Sequence, residues 1–368
     1  MGWSWKLGKI RGIELRLHAT FVILVVWLAL AFYRQAGSAA AARGVLFILS
    51  LFASVVVHEL GHALAARRFG VPTKDITLLP IGGVARLEYI PDRPKQELFI
   101  ALAGPAVTLG LVIVLYIVLR ASGLPTLPSA TMQAGPAWGV FLAQLMWVNS
   151  TLFLFNILPA FPMDGGRVLR AVLALRMDYL RATDVAARFG RWFAFLFGIV
   201  GLFYNPFLVL IALFVWLGAA GESSAVHVRS SLAGVNVGRV MVSDIQTLSP
   251  NDTLDAALQH VLGGFQHDFP VVDGDRVIGV LTQRALLTGL AKQGTASKVG
   301  DSMEQSFRVA EPNEPVQAAI ARLHECRCRS LPVVRDGTLH GMLTLDNIGE
   351  FVMIRSAIRG SVMTRPAV

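Results

Sequence analysis

Charged side chains are scarce in this sequence: only 15% of its 368 residues are Asp, Glu, Lys or Arg. Soluble globular domains carry about 25%, so the whole chain does not have the composition of a soluble protein. Apolar residues make up 54% and are concentrated in roughly the first 220 positions, whereas the rest of the chain has an ordinary soluble composition. The composition therefore predicts a membrane-embedded part followed by a water-exposed part.

Cysteine is nearly absent as well. Only Cys326 and Cys328 occur, and a C-x-C pair is weak evidence for a disulfide framework or a zinc knuckle, so we expect reduced thiols in a cytoplasmic setting. The formal net charge of +9 is compatible with nucleic-acid binding. Most of the excess, however, lies in short loops beside apolar segments, where a membrane surface explains it better, and we expect no nucleic-acid partner.

Runs of about 20 apolar residues predict membrane-spanning helices. The last block, 192–220, is too long for one span, and we interpret Gly201 and Asn205-Pro206 as breaks that divide it into two short helices. The predicted fold class is therefore a polytopic α-helical membrane protein of about six spans, 18–34, 44–66, 97–119, 138–158, 190–204 and 206–220.

Basic residues flank these segments unevenly. They are frequent before the first span, between the second and third, and after the fourth, whereas the opposite loops hold only Arg34, Arg43 and Arg120. Since Lys and Arg mark the cytoplasmic side, we expect a multi-pass cell-membrane protein with both termini in the cytoplasm. A secretory signal cleaved near residues 29–31 is the alternative for the first span, but cleavage would leave the charge asymmetry of the later loops.

The second predicted span carries ionisable groups that a bilayer normally excludes. His58, Glu59 and His62 form the pattern H-E-x-x-H. Residues four apart lie on one helix face, so both imidazoles can reach one metal ion, and Glu59 lies beside it. A polar cluster that packs helices together is the alternative interpretation.

A third ligand is expected just after the fourth span, where N-I-L-P-A-F-P-M-D-G-G occupies 156–166. Prolines remove backbone donors and glycines let the chain bend, a combination that can bring Asp164 back toward the histidines. Catalytic zinc usually has three protein ligands and one open position. Taken alone, Asp164 is also suited to cap a helix that begins near Arg167, but together with H-E-x-x-H the interpretation as a ligand is favoured.

The motifs H-E-x-x-H and N-x-x-P-x-x-P-x-D-G resemble the two signatures of the site-2 protease family of intramembrane zinc metalloproteases. The resemblance covers the membrane half and implies a three-helix catalytic core. It implies that His58, His62 and Asp164 bind one Zn²⁺ per chain, that Glu59 is the catalytic base, and that Asn156 contacts the substrate or the oxyanion. The implied activity is regulated intramembrane proteolysis, with anti-sigma factors or membrane-tethered regulators as substrates.

Two smaller features accompany the motifs. Residues 76–87 contain two strand-like runs around a turn, a hairpin that either holds an extended substrate by β-augmentation or packs at the membrane surface. His18, at the start of the first span, is either an accessory polar group or an interfacial histidine with no zinc role.

The sequence after residue 235 repeats itself with a constant offset of 62 residues. Pro270-Val271-Val272 matches Pro332-Val333-Val334, and each copy alternates predicted strands and helices. The repeat resembles a pair of cystathionine-β-synthase (CBS) domains, a regulatory α/β module. The predicted organisation is a transmembrane zinc protease domain at 1–222, a linker at 223–235, CBS domains at 236–356 (about 236–292 and 298–352) and a tail at 357–368.

The CBS resemblance implies a homodimer and, in many pairs, an adenine-nucleotide site. The family's ribose contact is T-x-x-D, but the last position here is Ala285 or Asn347. Thr282, Thr344 and the out-of-register Asp346 remain as weak nucleotide candidates, so we expect a regulatory fold with little nucleotide binding.

A CBS-regulated cation transporter or channel is the alternative function for the chain. In that interpretation the His, Glu and Asp side chains of the two motifs form a transport site. Proteolysis is favoured because transport does not require a glutamate immediately after the first histidine.

Overall fold

The computed structural model describes residues 3–80, 82–87, 93–126 and 136–363. The chain divides into two compact units, Met1–Val226 and His227–Val368. The first unit is mainly helical with a small sheet, and the second alternates helices and strands. Ile81 of the predicted hairpin and residues 364–368 of the predicted tail lie outside the described residues.

The sheet of the first unit has four strands. Strand β1 (Ser4–Ile10) pairs antiparallel with β2 (Ile13–His18), and β2 runs parallel to β3 (Thr73–Leu79). Strand β3 then pairs antiparallel with β4 (Gly82–Leu87), which confirms the predicted hairpin. The strand order is β1-β2-β3-β4, so β4 lies at an edge of the sheet.

The first helix, α1 (Ala19–Arg68), has 50 residues and contains a break. A straight helix of that length would extend about 75 Å, more than twice the roughly 30 Å hydrocarbon core of a bilayer. Ala36 and Gly37 leave the helical conformation, and Gly37 adopts a φ of 77° that glycine tolerates best. The break separates two segments that lie close to the first two predicted spans.

His18 caps the N-terminus of α1. Its Nδ1 accepts a hydrogen bond from the backbone N–H of Thr20 at 3.3 Å and lies 2.8 Å from Thr20 Oγ1. Capping satisfies one of the backbone donors that a helix start leaves without a partner, so the interfacial interpretation of His18 accounts for its position.

Helices form the rest of the first unit: α2 (Pro94–Ala121), α3 (Ala137–Ile157), α4 (Asp164–Ala174), α5 (Tyr179–Tyr204) and α6 (Pro206–Leu232). In the described part of the chain, α1 and four of these helices, all but α4, are long and apolar enough to cross a membrane. Apolar side chains of α1, α2 and α3 pack into one buried cluster.

The helices α5 and α6 correct the prediction that Gly201 breaks the chain. They meet at Asn205-Pro206 as predicted, but Gly201 lies inside α5 and does not break it. A Cβ at Gly201 would lie 2.7 Å from the backbone nitrogen of Val209, so this glycine allows close helix packing. Helix α6 continues to Leu232 through most of the segment predicted as a linker, which has no proline and no glycine before Gly234 and is therefore compatible with a helix.

The second unit contains one antiparallel sheet in the order β5-β6-β8-β7. Each repeat contributes two strands, and helices flank them. The elements are a 3₁₀ turn at Val237–Arg239, α7 (Leu254–Gly263), β5 (Phe269–Asp273), β6 (Arg276–Leu281), α8 (Gln283–Gln293), α9 (Val299–Ser302), α10 (Val316–Cys326), β7 (Ser330–Arg335), β8 (Thr338–Thr344) and α11 (Leu345–Met363).

The segment that leads into each repeat packs with the other repeat. Val237, ahead of the first copy, belongs to the hydrophobic core of the second copy, around Leu343. Val299, ahead of the second copy, belongs to the core of the first, around Leu281. The predicted boundaries, 236–292 and 298–352, assign each of these leading segments to the copy that follows it in the sequence and not to the copy in whose core it packs.

Cys326 and Cys328 are joined by a disulfide, whereas the sequence predicted reduced thiols. Arg327 between them adopts a left-handed conformation at the end of α10. This turn brings the two Cα atoms to 5.2 Å, within the usual range for a disulfide.

Candidate metal centre

Three ionisable side chains of the first unit converge. His58 Nε2 and His62 Nε2 lie 3.1 Å and 3.0 Å from Asp164 Oδ2, and the two nitrogens are 3.1 Å apart. Both histidines are buried and Asp164 is half-buried. The structure thus brings together the three residues that the sequence predicted as metal ligands.

The local sequence explains how Asp164 reaches the histidines. Helix α3 ends at Ile157, and after a short turn Asp164 becomes the first residue of α4. A Cβ at Gly165 would lie 2.1 Å from the carbonyl oxygen of Leu158, so only glycine lets α4 begin so close to the end of α3. The N-cap of α4 is Met163, so the interpretation of Asp164 as a helix cap is wrong.

Helix α2 orients both imidazole rings. His62 Nδ1 lies 2.7 Å from the backbone oxygen of Ile100, which can only accept, so Nδ1 carries the proton and Nε2 keeps a lone pair. Thr108 Oγ1 donates to the Gly104 oxygen at 3.4 Å and lies 2.8 Å from His58 Nδ1. Because its proton is directed to Gly104, Thr108 accepts from Nδ1 of His58, whose Nε2 is likewise left with a lone pair.

This donor set fits a zinc ion. Two imidazole lone pairs and a carboxylate oxygen repel one another unless a cation lies between them, and tetrahedral zinc with bonds of about 2.0–2.1 Å separates its ligand atoms by about 3.3 Å. A Cβ at Gly104 would lie 2.1 Å from His62 Nε2 and 2.7 Å from His58 Nε2, so a larger residue would intrude on the nitrogens. The hydrogen bonds from Nδ1 are of the kind that fix zinc ligands.

A cavity of about 380 Å³ surrounds the three side chains. Glu59 and Asn156 line this cavity, a position that is required if Glu59 is to act as a base and Asn156 is to contact a substrate. Two further polar residues, Asn149 and Arg167, line it as well. The histidines and Asp164 therefore face a cavity that contains several polar groups able to bind water.

The edge strand β4 contributes one wall of this cavity. Residues Gly82 to Ala85 line it, and a Cβ at Gly83 would lie 2.7 Å from Glu59 Cγ. The glycine thus lets the strand backbone approach the side chain of Glu59 closely. An extended chain beside β4 would lie close to the metal centre.

Sequence reasoning missed the residues that orient the histidines. Ile100, Gly104 and Thr108 recur every four residues on α2 and therefore share one helix face. The signal that was available is the pair of small residues Gly104 and Thr108 four apart on an apolar helix, a pattern that usually indicates helix packing in membranes. It did not identify hydrogen bonds to a metal site.

The second unit contains a cavity of about 560 Å³. Thr344 and Asp346, two of the weak nucleotide candidates, line it together with Asn347. The backbone N–H of Asn347 donates to Thr344 Oγ1 at 3.1 Å, and the two side chains also hydrogen-bond to each other. The Thr344 hydroxyl is therefore already engaged by its own helix.

Thr282, the third candidate, has a different environment. Its hydroxyl donates to Glu304 Oε1 at 3.0 Å. Glu304 is the repeat counterpart of Val242, which lines the cavity around Thr344. In the first copy, therefore, the hydroxyl that a ribose would contact already donates its hydrogen bond to an acidic side chain.

Comparisons with known proteins agree with the geometry. The model for peptidase family M50 matches residues 46–137 and 121–197, and the CBS domain model matches 237–292 and 299–353. A zinc metalloprotease of Methanocaldococcus jannaschii is 34% identical over 355 residues, which cover 95% of this chain and 96% of that protein. The protein Rip3 of Mycobacterium tuberculosis is 30% identical over 370 residues, covering 94% of this chain and 92% of Rip3.

The solved structure of the site-2 protease of Methanocaldococcus jannaschii is 40% identical to this chain, with a TM-score of 0.44. The match covers 60% of this chain and 95% of that protease. The motifs, the family model and the full-length relatives define a zinc metalloprotease that carries CBS domains. The chain belongs to peptidase family M50, the site-2 proteases, which confirms the resemblance stated from its two motifs.

Replacing Gly104 by Ala should weaken zinc binding at least about tenfold, the scale of losses when groups around zinc ligands are disturbed. The added methyl would meet both Nε2 atoms. Zinc affinity of the purified full-length protein, measured by competition with a chelator, checks this expectation.

Gly110→Ala is the matched control, because Gly110 lies on the same helix and a Cβ there meets nothing within 4 Å. It should bind zinc as the unchanged protein does. Unchanged affinity in Gly104→Ala would mean that the two nitrogens do not hold the ion.

Proposed function

We propose that this protein is an intramembrane zinc endopeptidase that cleaves transmembrane segments of other proteins. His58, His62 and Asp164 hold one zinc ion per chain, Glu59 is the catalytic base, and Asn156 stabilises charge on the substrate. The observation that carries the proposal is the meeting of three electron-pair donors with Glu59 at one cavity, with both histidines and Glu59 on a helix long and apolar enough to cross a membrane. Ionisable groups in such helices are costly and normally mark a functional site.

When bound, zinc supplies a Lewis acid that lowers the pKa of water and polarises the scissile carbonyl. Glu59 takes a proton from the attacking water and delivers it to the leaving amine. Asn156 donates a hydrogen bond to the carbonyl oxygen as negative charge develops there. The bond broken is the peptide C–N bond, and the products are a carboxylate and an amine.

The edge strand β4 provides a place for the substrate. A peptide bond inside a helix is shielded by the helix, so a transmembrane substrate must become extended before it is cut. Strand addition to β4 would satisfy the backbone groups of the extended segment. The approach of Gly83 to Glu59 supports this role over the alternative of a packing turn, since the added strand would run beside the catalytic base.

The membrane arrangement that we propose has six spans with both termini in the cytoplasm. The break at Ala36 and Gly37 supports counting α1 as two spans. The apolar cluster formed by α1, α2 and α3 supports a three-helix catalytic core. Basic residues between the spans favour the cytoplasmic side for the CBS domains.

The CBS pair regulates the protease in this proposal. The described residues of the second unit contain no cluster of metal ligands, which supports a regulatory rather than a catalytic role for this unit. Because paired CBS domains commonly mediate dimerisation, we also propose a homodimer. Substrates would be membrane proteins such as anti-sigma factors or membrane-tethered regulators. A nucleotide, if bound, would occupy the cavity lined by Thr344 and Asp346.

Glu59→Gln should reduce cleavage by roughly 10²–10⁴-fold, the usual contribution of a general base, and should leave zinc content unchanged. Glutamine keeps the size of glutamate but cannot accept the proton. A reconstituted assay with transmembrane peptides that contain helix-weakening Gly, Asn or Pro residues measures the loss, with Glu350→Gln, an exposed residue of α11, as the control.

Equal cleavage by Glu59→Gln and the unchanged protein would remove Glu59 from the mechanism. If neither protein cuts any peptide of a broad panel, and both conduct zinc or another cation across vesicles at rates that the substitution changes, the protein is a transporter.

Asn347→Asp should strengthen AMP or ATP binding, because it restores T-x-x-D beside the cavity that contains Thr344. Ala285→Asp restores the same pattern in the first copy but should have little effect, since Glu304 occupies the Thr282 hydroxyl and would repel a phosphate-bearing ligand. Isothermal titration of the full-length proteins compares the two. Micromolar or tighter binding by the unchanged protein would contradict the expectation of weak binding.

A further inference from the structure

Arg170 of α4 is completely buried and paired with two glutamates. Its Nε and Nη2 donate to Glu97 Oε1 at 2.8 Å and 2.5 Å, and its Nη1 donates to Glu222 Oε1 at 2.6 Å. The guanidinium also lies 5.0 Å from the ring centre of Phe161 and 5.1 Å from that of Tyr179. These five contacts lie within the first unit and connect α4 with α2, α5, α6 and the turn before α4.

Two of the contacting residues, Phe161 and Arg170, lie on either side of Asp164 in the sequence. Phe161 precedes Asp164 by three residues in the turn, and Arg170 follows it by six residues on the helix that Asp164 begins. Stacking of Arg170 on Phe161 therefore holds both sides of the ligand's backbone. Gly165 and Gly166, which follow Asp164, are buried in α4 and packed against Leu158 and Ala160, so the backbone on both sides of the ligand lies in tightly packed surroundings.

The pair with Glu97 connects Asp164 to the helix that orients the histidines. Glu97 lies on α2 one turn before Ile100, whose carbonyl fixes the His62 ring, and the same helix carries Thr108 beside His58. The Glu97–Arg170 ion pair thus joins the helix behind the imidazoles to the helix that carries the carboxylate. Two N–H groups of the planar guanidinium converge on Glu97 Oε1, which gives this joint a defined orientation.

We propose that Arg170 is a positioning residue for the zinc site, which places Asp164 relative to His58 and His62 through Glu97 and Phe161. This inference rests on the proposed role of those three residues as zinc ligands. A buried ion pair is weak evidence for stability in itself, since apolar residues often replace one without loss. The positions of its partners on both sides of the metal centre indicate the geometric role instead.

Zinc affinity of the full-length protein, measured with zinc and a competing chelator, tests the proposal. Arg170→Met should raise the zinc dissociation constant about 10- to 100-fold, as changes around zinc ligands do. Glu97→Gln should raise it less, because the amide oxygen can still accept a hydrogen bond. Arg188→Met, an exposed arginine on α5, is the control and should change nothing.

A merely structural role predicts a different pattern. It would lower the melting temperature of the zinc-free protein, with the zinc dissociation constant of the folded protein within twofold of the original, and that result would overturn the proposal. If Arg170→Met does not fold, Arg170→Lys is used in its place. A lysine keeps the positive charge but not the planar set of N–H donors, so an unchanged zinc affinity of Arg170→Lys would likewise overturn the proposal.

Combining the Arg170 and Asp164 substitutions tests the positioning role of Arg170 separately from the proposed role of Asp164 as a zinc ligand. In an Asp164→Ala background, Arg170→Met should cause less than a twofold further loss of zinc affinity, because the group that it places is gone. A loss as large as in the original background would overturn the positioning role. If Asp164→Ala itself keeps the original affinity, the ligand assignment fails, whatever Arg170 does.

Discussion

The first unit is arranged around one electrostatic constraint. His58 Nε2, His62 Nε2 and Asp164 Oδ2 lie within 3.1 Å of one another in a unit built mainly of long apolar helices. Lone pairs and a negative charge brought so close in a low dielectric are unfavourable unless a cation lies among them. The surrounding helices supply what this arrangement needs: α2 gives acceptors for both Nδ1 atoms, and Gly104 leaves the nitrogens room.

The constraint also explains where polar residues occur in a chain with few charges. Glu59, Asn149, Asn156 and Arg167 share the cavity of the metal centre, whereas Arg170 is buried behind it with two glutamates. Concentrating these groups in one interior region leaves the outer surfaces of the long helices apolar. A protein of this composition can therefore hold water at a hydrolytic site and still be compatible with a bilayer.

The motifs and the repeat could be recognised from the sequence because their determinants are local. An i, i+4 histidine pair must share a helix face, the Pro-rich turn before Asp164 must end a helix, and strand-like runs at 76–87 must form a hairpin if they pair at all. The helix junction at Asn205-Pro206 follows from the same steric rules. A 62-residue offset without gaps likewise requires two copies of one structure.

The rest was decided by contacts between segments that are distant in the sequence. Gly201 resembles a helix breaker but lies inside α5 because Val209 packs against it, and Val299 belongs to the core of the preceding repeat. Likewise, only the packing of α2 shows that Ile100 fixes the ring of His62, and only the structure shows that Glu304 accepts a hydrogen bond from the Thr282 hydroxyl. Local residue preferences determine the type of each segment, whereas side-chain packing between segments determines which groups meet.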